Sequence, residues 1–591
     1  MTSSASDLTL HQRLAEVAIA HPRVRTTFWS LSQSTLSHAE LQRQSVAAAG
    51  ALLARGIGRG EPVGLLCPNA PEFLIGLFAT TTAGGAATPL PLPAGARQLA
   101  SYPARLAGIV AAAGMRTILV SPQFAALVDP LRAAMDVEFL DTAALFAEST
   151  TTAELPRVDP DDVAVVQFTS GSTAAPKGVR LTHRQVLAGL AAIRTGIDLG
   201  PADQGGFWLP LFHDMGLIGT LSAILRGIPA HLWSPTAFVK DPERWLREFA
   251  ASGSTISAMP NFGYETLLAA VPPDRAADYD LRHWRIAFNG AEPIVHTVVR
   301  EFCARFRPAG FDPAAMFGVY GMAEATLAVT FPPLGREPVF DWVDRVTLSD
   351  YARAQRVSPD AEGARAVAGV GTAVAGLRLR VVDPDSRATV PDGEVGEILI
   401  RGESVTDGYL TADPASTAEL FTEGWLRTGD LGYQRAGELY VTGRSKDMIT
   451  VRGVNYYAHD VEAAVRDLDG VYKGRCIAAA DPDGGDTIVV IAETDLAATA
   501  TEELGTAIAG RIAARLGLTA VRVYPVAPRS IPRTSSGKLR RLAARELIAT
   551  ETDSEQPCTA TTSSAITSAS TGGWVTSTST PSTPRWSGPS T

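Results

Sequence analysis

Apolar runs and amphipathic runs alternate through the first half of the chain: EPVGLLCP (61–68), PEFLIGLFATTTAG (71–84), AATPLP (86–91), RLAGIVAAAG (105–114) and RTILV (116–120). Strands that recur with helical segments between them imply parallel strands joined by crossover helices, an α/β architecture. A further apolar run at 163–168 leads into TSGSTAAPKG (169–178), and KGVRLT after it predicts a second strand. Thr182 followed three residues later by Gln185 is a capping-box signature for a helix with Val186, Leu187, Leu190 and Ile193 on one face. From about residue 446 the texture changes. A helix with Val461, Val465 and Leu468, strands RCIAAA and TIVVIAE, a helix through Ile508, Ile512 and Leu516, and a strand AVRVYPV predict a small α+β unit. Beyond about residue 550 the Ser/Thr-rich stretch ATTSSAITSASTGGWVTSTSTPSTPRW is too polar and repetitive to bury a core, and a disordered tail is expected over 550–591.

At 591 residues the chain is too long for one ordinary domain, and 46% hydrophobic residues supply enough apolar surface for a large core. The net charge of −10 argues against a general nucleic-acid or anionic-membrane binder, so an anionic ligand must be met locally. The four cysteines, Cys67, Cys303, Cys476 and Cys558, lie far apart without a CxxC, which indicates neither a disulfide framework nor a zinc site and fits a reducing cytoplasm. The N-terminus lacks a signal pattern, and the most membrane-like run, FLIGLFATTTAGGAAT from Phe73, is too short and Thr/Gly-rich to span a bilayer. No stable membrane insertion is expected.

The loop after the 163–168 run combines hydroxyls, glycines and Lys177, a composition that offers N–H groups, Ser/Thr donors and one cation to a polyphosphate. It is not a Walker A loop, because Pro176 precedes the lysine and Gly178 follows it. By itself it reads better as an ordinary polar hairpin between two strands. Four later segments change the reading: VYGMAEAT (319–326), GWLRTGDL (424–431), GRSKDMI (443–449) and PRTSSGKL (532–539).

With the loop, these segments resemble the adenylate-forming superfamily of acyl-CoA synthetases, peptide-synthetase adenylation domains and luciferases, over roughly residues 10–548. WLPLFHDMGL (208–217), MPNFGY (259–264) and NGAEP (289–293) narrow the resemblance to the fatty acyl-AMP ligases. Ala174 and Ala458 depart from the Gly and Pro common there. The resemblance implies a large multi-lobed N-terminal adenylation domain (1–443), a hinge (444–447) at Lys446, and a small mobile α+β C-terminal domain (448–549). It implies ATP and Mg²⁺ as cofactors. It assigns Thr169, Ser170, Gly171, Ser172, Thr173 and Lys177 to the pyrophosphate side of ATP and Glu324 to the metal. Gly290, Ala291, Glu292, Tyr320 and Gly321 fall to the adenine, Asp430 to the ribose hydroxyls, and Arg444 to ribose or phosphate. Lys538 would bridge the substrate carboxylate and the α-phosphate as a point charge. His213 stands where amino-acid-activating relatives commonly carry Asp, which argues against an amino acid substrate.

The implied reaction is activation of a medium- to long-chain fatty acid to acyl-AMP, then transfer to the phosphopantetheine thiol of a separate acyl carrier protein. The apolar stretches LIGTLSAIL (217–225) and MPNFGYETLL (259–268) are the expected walls of an acyl tunnel. Residues 331–367 exceed what acyl-CoA synthetases usually have here, and fatty acyl-AMP ligases carry an insertion at this point that hinders the domain rotation CoA needs. Val339, Phe340, Trp342 and Val343 give that segment the means to pack on the body. No helix-borne Asp-Ser attachment site is seen, so the carrier is expected on another chain. Two alternatives remain at this point: a fatty acyl-CoA ligase, and an inactive acyl- or nucleotide-binding regulator.

Overall fold

The capping box foreseen at Thr182 is formed: the Thr182 side chain accepts from Gln185 N, Gln185 reaches back to Thr182 N, and the helix runs His183–Gly196. In the computed structural model, which describes residues 7–29, 33–93, 99–147, 154–169, 176–411, 415–452, 454–481, 486–532 and 541, this helix packs on the strands Val163–Thr169 and Lys177–Thr182 and against the helix Asp214–Arg226, and the chain builds two seven-stranded sheets. In one sheet the strands follow the order Met316–Gly318, Ile286–Asn289, Ile256–Met259, Gly205–Phe207, Ala230–Trp233, Arg25–Trp29, Ser34–Ser37. All its pairs are parallel except the last. The other sheet is parallel from Glu138–Asp141 through Thr117–Val120, Pro62–Leu66 and Ala86–Pro89 to Val163–Thr169, and ends in two antiparallel strands, Lys177–Thr182 and Tyr409–Leu410. Parallel strands buried on both faces need nearly continuous apolar runs, which the sequence supplies. The membrane-like run lies in the helix Pro71–Thr82, opened by a proline at its first position and fully buried from Phe73 onward. No helix among the described residues is long and apolar enough to cross a membrane.

An antiparallel sheet built on Leu377–Val382, Gly396–Gly402, Trp425–Arg435 and Glu438–Arg444 adjoins these two. A second apolar core follows residue 448, gathered from the hairpin Met448–Val451/Val454–Tyr457, the helices Ala458–Val465 and Ala498–Leu516, and the sheet Cys476–Ala480, Ile488–Glu493, Val521–Val526. Leu468 falls just past the first helix, whose turn ends at Arg466. The stretch after Phe331 is ordered. It forms a hairpin, Phe340–Asp344 against Ala364–Ala368, with a short helix Arg345–Asp350 inside it. Val343, Leu348 and Val367 share a core with Leu431, Tyr433, Tyr440 and Tyr457, while Phe340 and Trp342 meet the His296 ring edge-on and Val339 stays 36% exposed. Gly371 closes the base of this insertion at φ +81, where a Cβ would sit 1.9 Å from the Phe331 carbonyl oxygen. The tail after 550 lies outside the described residues.

Candidate active site

Lys177 opens the strand that returns from the loop and pairs with Thr169; Ser170, Gly171, Ser172 and Thr173 lie outside the described residues, as does Lys538. The edge strand carrying Tyr409 pairs with the Lys177 strand, Tyr409 opposite Val179. That pairing puts the Tyr409 ring 5.5 Å from Lys177 Nζ and lets its hydroxyl donate to Glu324 Oε1 at 2.7 Å. Tyr409 thus touches two residues the sequence had singled out, though it was not among them. Glu324 sits on a short 3-10 turn braced by Thr326, whose Oγ1 lies 2.9 Å from the Ser404 carbonyl oxygen and 3.2 Å from that of Gln185. Thr326 holds φ +66 while fully buried, a strained backbone fixed by its surroundings. Burial pushes the Glu324 carboxyl above its ordinary range, partly offset by the Tyr409 hydrogen bond, so a cation beside it is favoured. Among the described residues no group of three His, Cys, Asp or Glu side chains is assembled to hold a metal. The buried Glu324 carboxylate would offer a divalent ion one oxygen ligand.

A second cluster lies across the cavity. Asp430, buried, accepts from Tyr320 OH at 2.7 Å and from Arg444 Nε at 3.0 Å, and its own N–H donates to Thr428 Oγ1 at 3.0 Å. Burial, then the Asp430 charge, pushes the Tyr320 hydroxyl well up, so it stays a donor. The strand Ile286–Asn289 ends at Gly290, and Ala291 turns left-handed at φ +66 before Glu292 Oε1 accepts from Phe262 N at 2.6 Å. Gly321 follows Tyr320 in a two-residue strand beside them. His213 stands at the N-cap position of the helix Asp214–Arg226 without a side-chain capping bond, its Nδ1 2.6 Å from Asp214 Oδ1, and Gln167 Nε2 donates to the preceding Phe212 carbonyl at 2.6 Å. Gly216 is required in that helix because a Cβ there would lie 2.2 Å from the Pro210 carbonyl oxygen.

Thr169, Lys177, His213, Ala291, Glu292, Tyr320, Gly321, Glu324, Asp430, Arg444 and Lys446 all line one cavity of about 1910 Å³; Gly290 adjoins it. The cavity continues past His213 into an apolar channel. On the 217–225 stretch the leucines turn into the core, and the small residues Gly219, Ser222 and Ala223 face the channel. From the 259–268 stretch Phe262, Glu265 and Thr266 line the cavity, whereas Tyr264 and Leu267 are core. A helix shows only one stripe to a cavity, so half of each apolar run was bound to pack elsewhere.

A sequence family described as AMP-binding enzyme matches residues 14–410. The chain is 33% identical over 551 residues to the medium-chain-fatty-acid–[acyl-carrier-protein] ligase TtuA of Teredinibacter turnerae, covering 83% of this chain and 85% of that one. It is 32% identical over 547 residues to the long-chain-fatty-acid–AMP ligase FadD32 of Mycolicibacterium smegmatis, covering 82% and 84%. A solved chain from a study of fatty acyl-adenylate ligases of E. coli and L. pneumophila superposes with a TM-score of 0.87 at 32% identity, covering 93% of this chain and all of that one. A fatty acyl-adenylate ligase from L. pneumophila in complex with acyl adenylate and pyrophosphate gives a TM-score of 0.71 at 26% identity, covering 92% and 96%.

Proposed function

This chain belongs to the AMP-binding enzyme family, and from that premise we propose that it activates a medium- to long-chain fatty acid as acyl-AMP and passes the acyl group to the phosphopantetheine thiol of a separate acyl carrier protein. The observation that carries the reading is the continuity of one cavity: a polar end with Lys177, Glu324, Asp430 and Arg444, and an apolar end beyond His213. A carboxylate oxygen attacks the α-phosphorus of ATP, the bond from that phosphorus to the bridging oxygen breaks, and pyrophosphate leaves. Lys177 and the 169–173 loop hold the leaving group. Asp430 accepts from the ribose hydroxyls, Arg444 lies beside it, and the Gly290–Glu292 turn with Tyr320 and Gly321 receives the adenine. Lys538 neutralises the two anions as they meet. Glu324 would hold Mg²⁺, which when bound draws charge from the phosphate oxygens. His213 presents an imidazole rather than a carboxylate where the acid enters, in keeping with a substrate that carries no ammonium group.

In the second half-reaction the thiolate attacks the acyl carbonyl and AMP leaves, giving the thioester. Names of relatives support a carrier-bound acceptor: TtuA and JamA are both named as acyl-carrier-protein ligases. The small C-terminal unit (448–549) turning about Lys446 would clear Lys538 from the thiol's path. A cytoplasmic setting fits the described cysteines, Cys67, Cys303 and Cys476, which are at least half-buried and not joined in disulfides. Fatty-acid-dependent ATP–pyrophosphate exchange, followed by product identification with CoA or a phosphopantetheinylated carrier as acceptor, tests both halves. Acyl-CoA as the dominant product would replace this reading with an acyl-CoA ligase, and absence of exchange would leave only a binding protein.

A further inference from the structure

Building on the fatty-acid reading, we propose that two amide side chains, Gln167 and Asn69, are positioning residues that fix the spacing between the seat of the acid and the seat of the phosphates. The two reacting atoms must be held about 3–3.5 Å apart, yet their seats stand on different sheets. Thr169 and Lys177 belong to the sheet that contains the strand Val163–Thr169, whereas His213 opens the helix that follows the strand Gly205–Phe207 of the other sheet. Residues 208–212, which lead from that strand to His213, are buried and lie in neither helix nor strand. Their backbone groups must therefore find partners elsewhere.

One partner is local, since His213 N donates to the Pro210 carbonyl at 3.0 Å. Others come from the phosphate-side sheet. Asn69, on the turn between the strand Pro62–Leu66 and the helix Pro71–Thr82, donates through Nδ2 to the Leu209 and Trp233 carbonyls, each at 2.9 Å, and accepts from Leu211 N at 3.0 Å. Trp233 ends the strand beside Gly205–Phe207, so Asn69 holds both the segment and its sheet. Gln167, 3% exposed, donates through Nε2 to the Phe212 carbonyl at 2.6 Å, one peptide before His213. Gln167 stands two residues before Thr169, on the same face of the strand and roughly 7 Å away along it. Thr169, Gln167, Phe212 and His213 all line the cavity. The chain of contacts from phosphate loop to acid helix is thus Thr169, Gln167, Phe212 carbonyl, His213. The residue types are demanded by the chemistry: a carbonyl can only accept, so Gln167 must present a donor, and Asn69 needs two donors and an acceptor together, which an amide supplies and a carboxylate does not.

The experiment is steady-state ATP–pyrophosphate exchange with a fatty acid, for the parent, Gln167→Met, Gln167→Glu and Asn69→Ala, with thermal melting to check folding. Gln167→Met keeps the volume and removes the donor, leaving the Phe212 carbonyl buried without it. It should lower kcat by about 10- to 100-fold while KM for ATP and for the acid each change less than about threefold, because each seat survives and their spacing does not. Asn69→Ala should show the same split. In Gln167→Glu burial raises the carboxyl pKa, and the acid form alone can donate. The donor is therefore present at low pH and lost as pH rises, so this variant should be as slow as Gln167→Met near pH 8.5 and gain at least about fivefold relative to the parent near pH 6. A folded Gln167→Met with the parent's kcat overturns the proposal, as does a loss that falls on KM instead. If Gln167→Met does not fold, the pH response of Gln167→Glu decides, and a profile parallel to the parent's overturns the proposal. Each of these leaves the fatty-acid reading intact, whereas a parent that exchanges with no fatty acid overturns both.

Discussion

Arg365 is the residue through which the insertion would hold the chain in the arrangement that makes adenylate but excludes CoA. Its guanidinium, 9% exposed, donates to the Thr442 carbonyl at 2.7 Å on the last strand of the body. It also meets Asp460 at 3.2 Å, contacts His459 Nε2, and lies 4.6 Å from the centre of the Tyr457 ring, all beyond residue 448. Breaking a buried pair by removing one partner costs about 3–5 kcal/mol. Asp460 is still 13% exposed, so water relieves part of that and about 2–3 kcal/mol is the fair figure. At 1.4 kcal/mol per tenfold, Arg365→Ala should enrich the rotated, thiol-accepting arrangement roughly 30- to 150-fold. Two lesser ties, Arg345 Nη1 to the Arg515 carbonyl and Asn455 N to Asp350 Oδ1, add about 0.5–1 kcal/mol each, so replacing residues 335–365 by a Gly/Ser linker should do more. The assay is single-turnover transfer from preformed acyl-AMP to CoA, with pyrophosphate exchange measured in parallel. The expected result is acyl-CoA from both variants where the parent forms almost none, with exchange retained. If both variants keep exchange yet transfer nothing to CoA, the exclusion does not reside in the insertion.

Tyr409→Phe removes one hydroxyl and leaves the ring beside Lys177; it should raise the Mg²⁺ needed for half-maximal exchange severalfold, since Glu324 loses the donor that fixes it, and an unchanged metal titration would deny Tyr409 that part. Lys538→Ala should lower adenylate formation by about 10²–10³ while ATP binding by calorimetry persists; near-normal exchange would refute its assignment. Stability should also fall on the acid side earlier than carboxylates alone predict. Burial lowers His183 to about 3 and His38 to about 4, so the unfolded chain binds protons at these sites from about pH 6.5 that the folded chain refuses. Their contribution is full above pH 6.5 and drains as pH falls toward 4. Urea melts at pH 7.5, 6.0 and 5.0 should show a declining midpoint, and His183→Gln should flatten the decline.

What the sequence disclosed and what it withheld divide along chain distance. The turn at 319–326 and the capping box at Thr182 were legible because each is built from neighbouring residues, so spacing alone carries it, while most of the loop at 169–178 lies outside the described residues. The Phe340–Asp344 hairpin was foreseen as packed because its apolar residues had to be covered, yet its anchor Arg365 was not. That contact spans ninety-four residues to His459 and depends on how two separate cores face each other. Tyr409 was hidden for the same reason, standing in a two-residue edge strand whose only signal is Gly408-Tyr409, eighty-five residues from Glu324. The lining of the cavity's apolar end was the least legible feature of all. Apolar content along 217–225 is the same whichever face meets the cavity, and only the helix phase turns Gly219 and Ser222 to it while Leu217, Leu221 and Leu225 go to the core. Arg285 and Asp203 meet across eighty-two residues, and Arg285 also holds the Ile197 carbonyl, a contact that no local spacing announces. Candidate groups at the polar end of the cavity are thus written locally, whereas the lining of its apolar end is written in the packing.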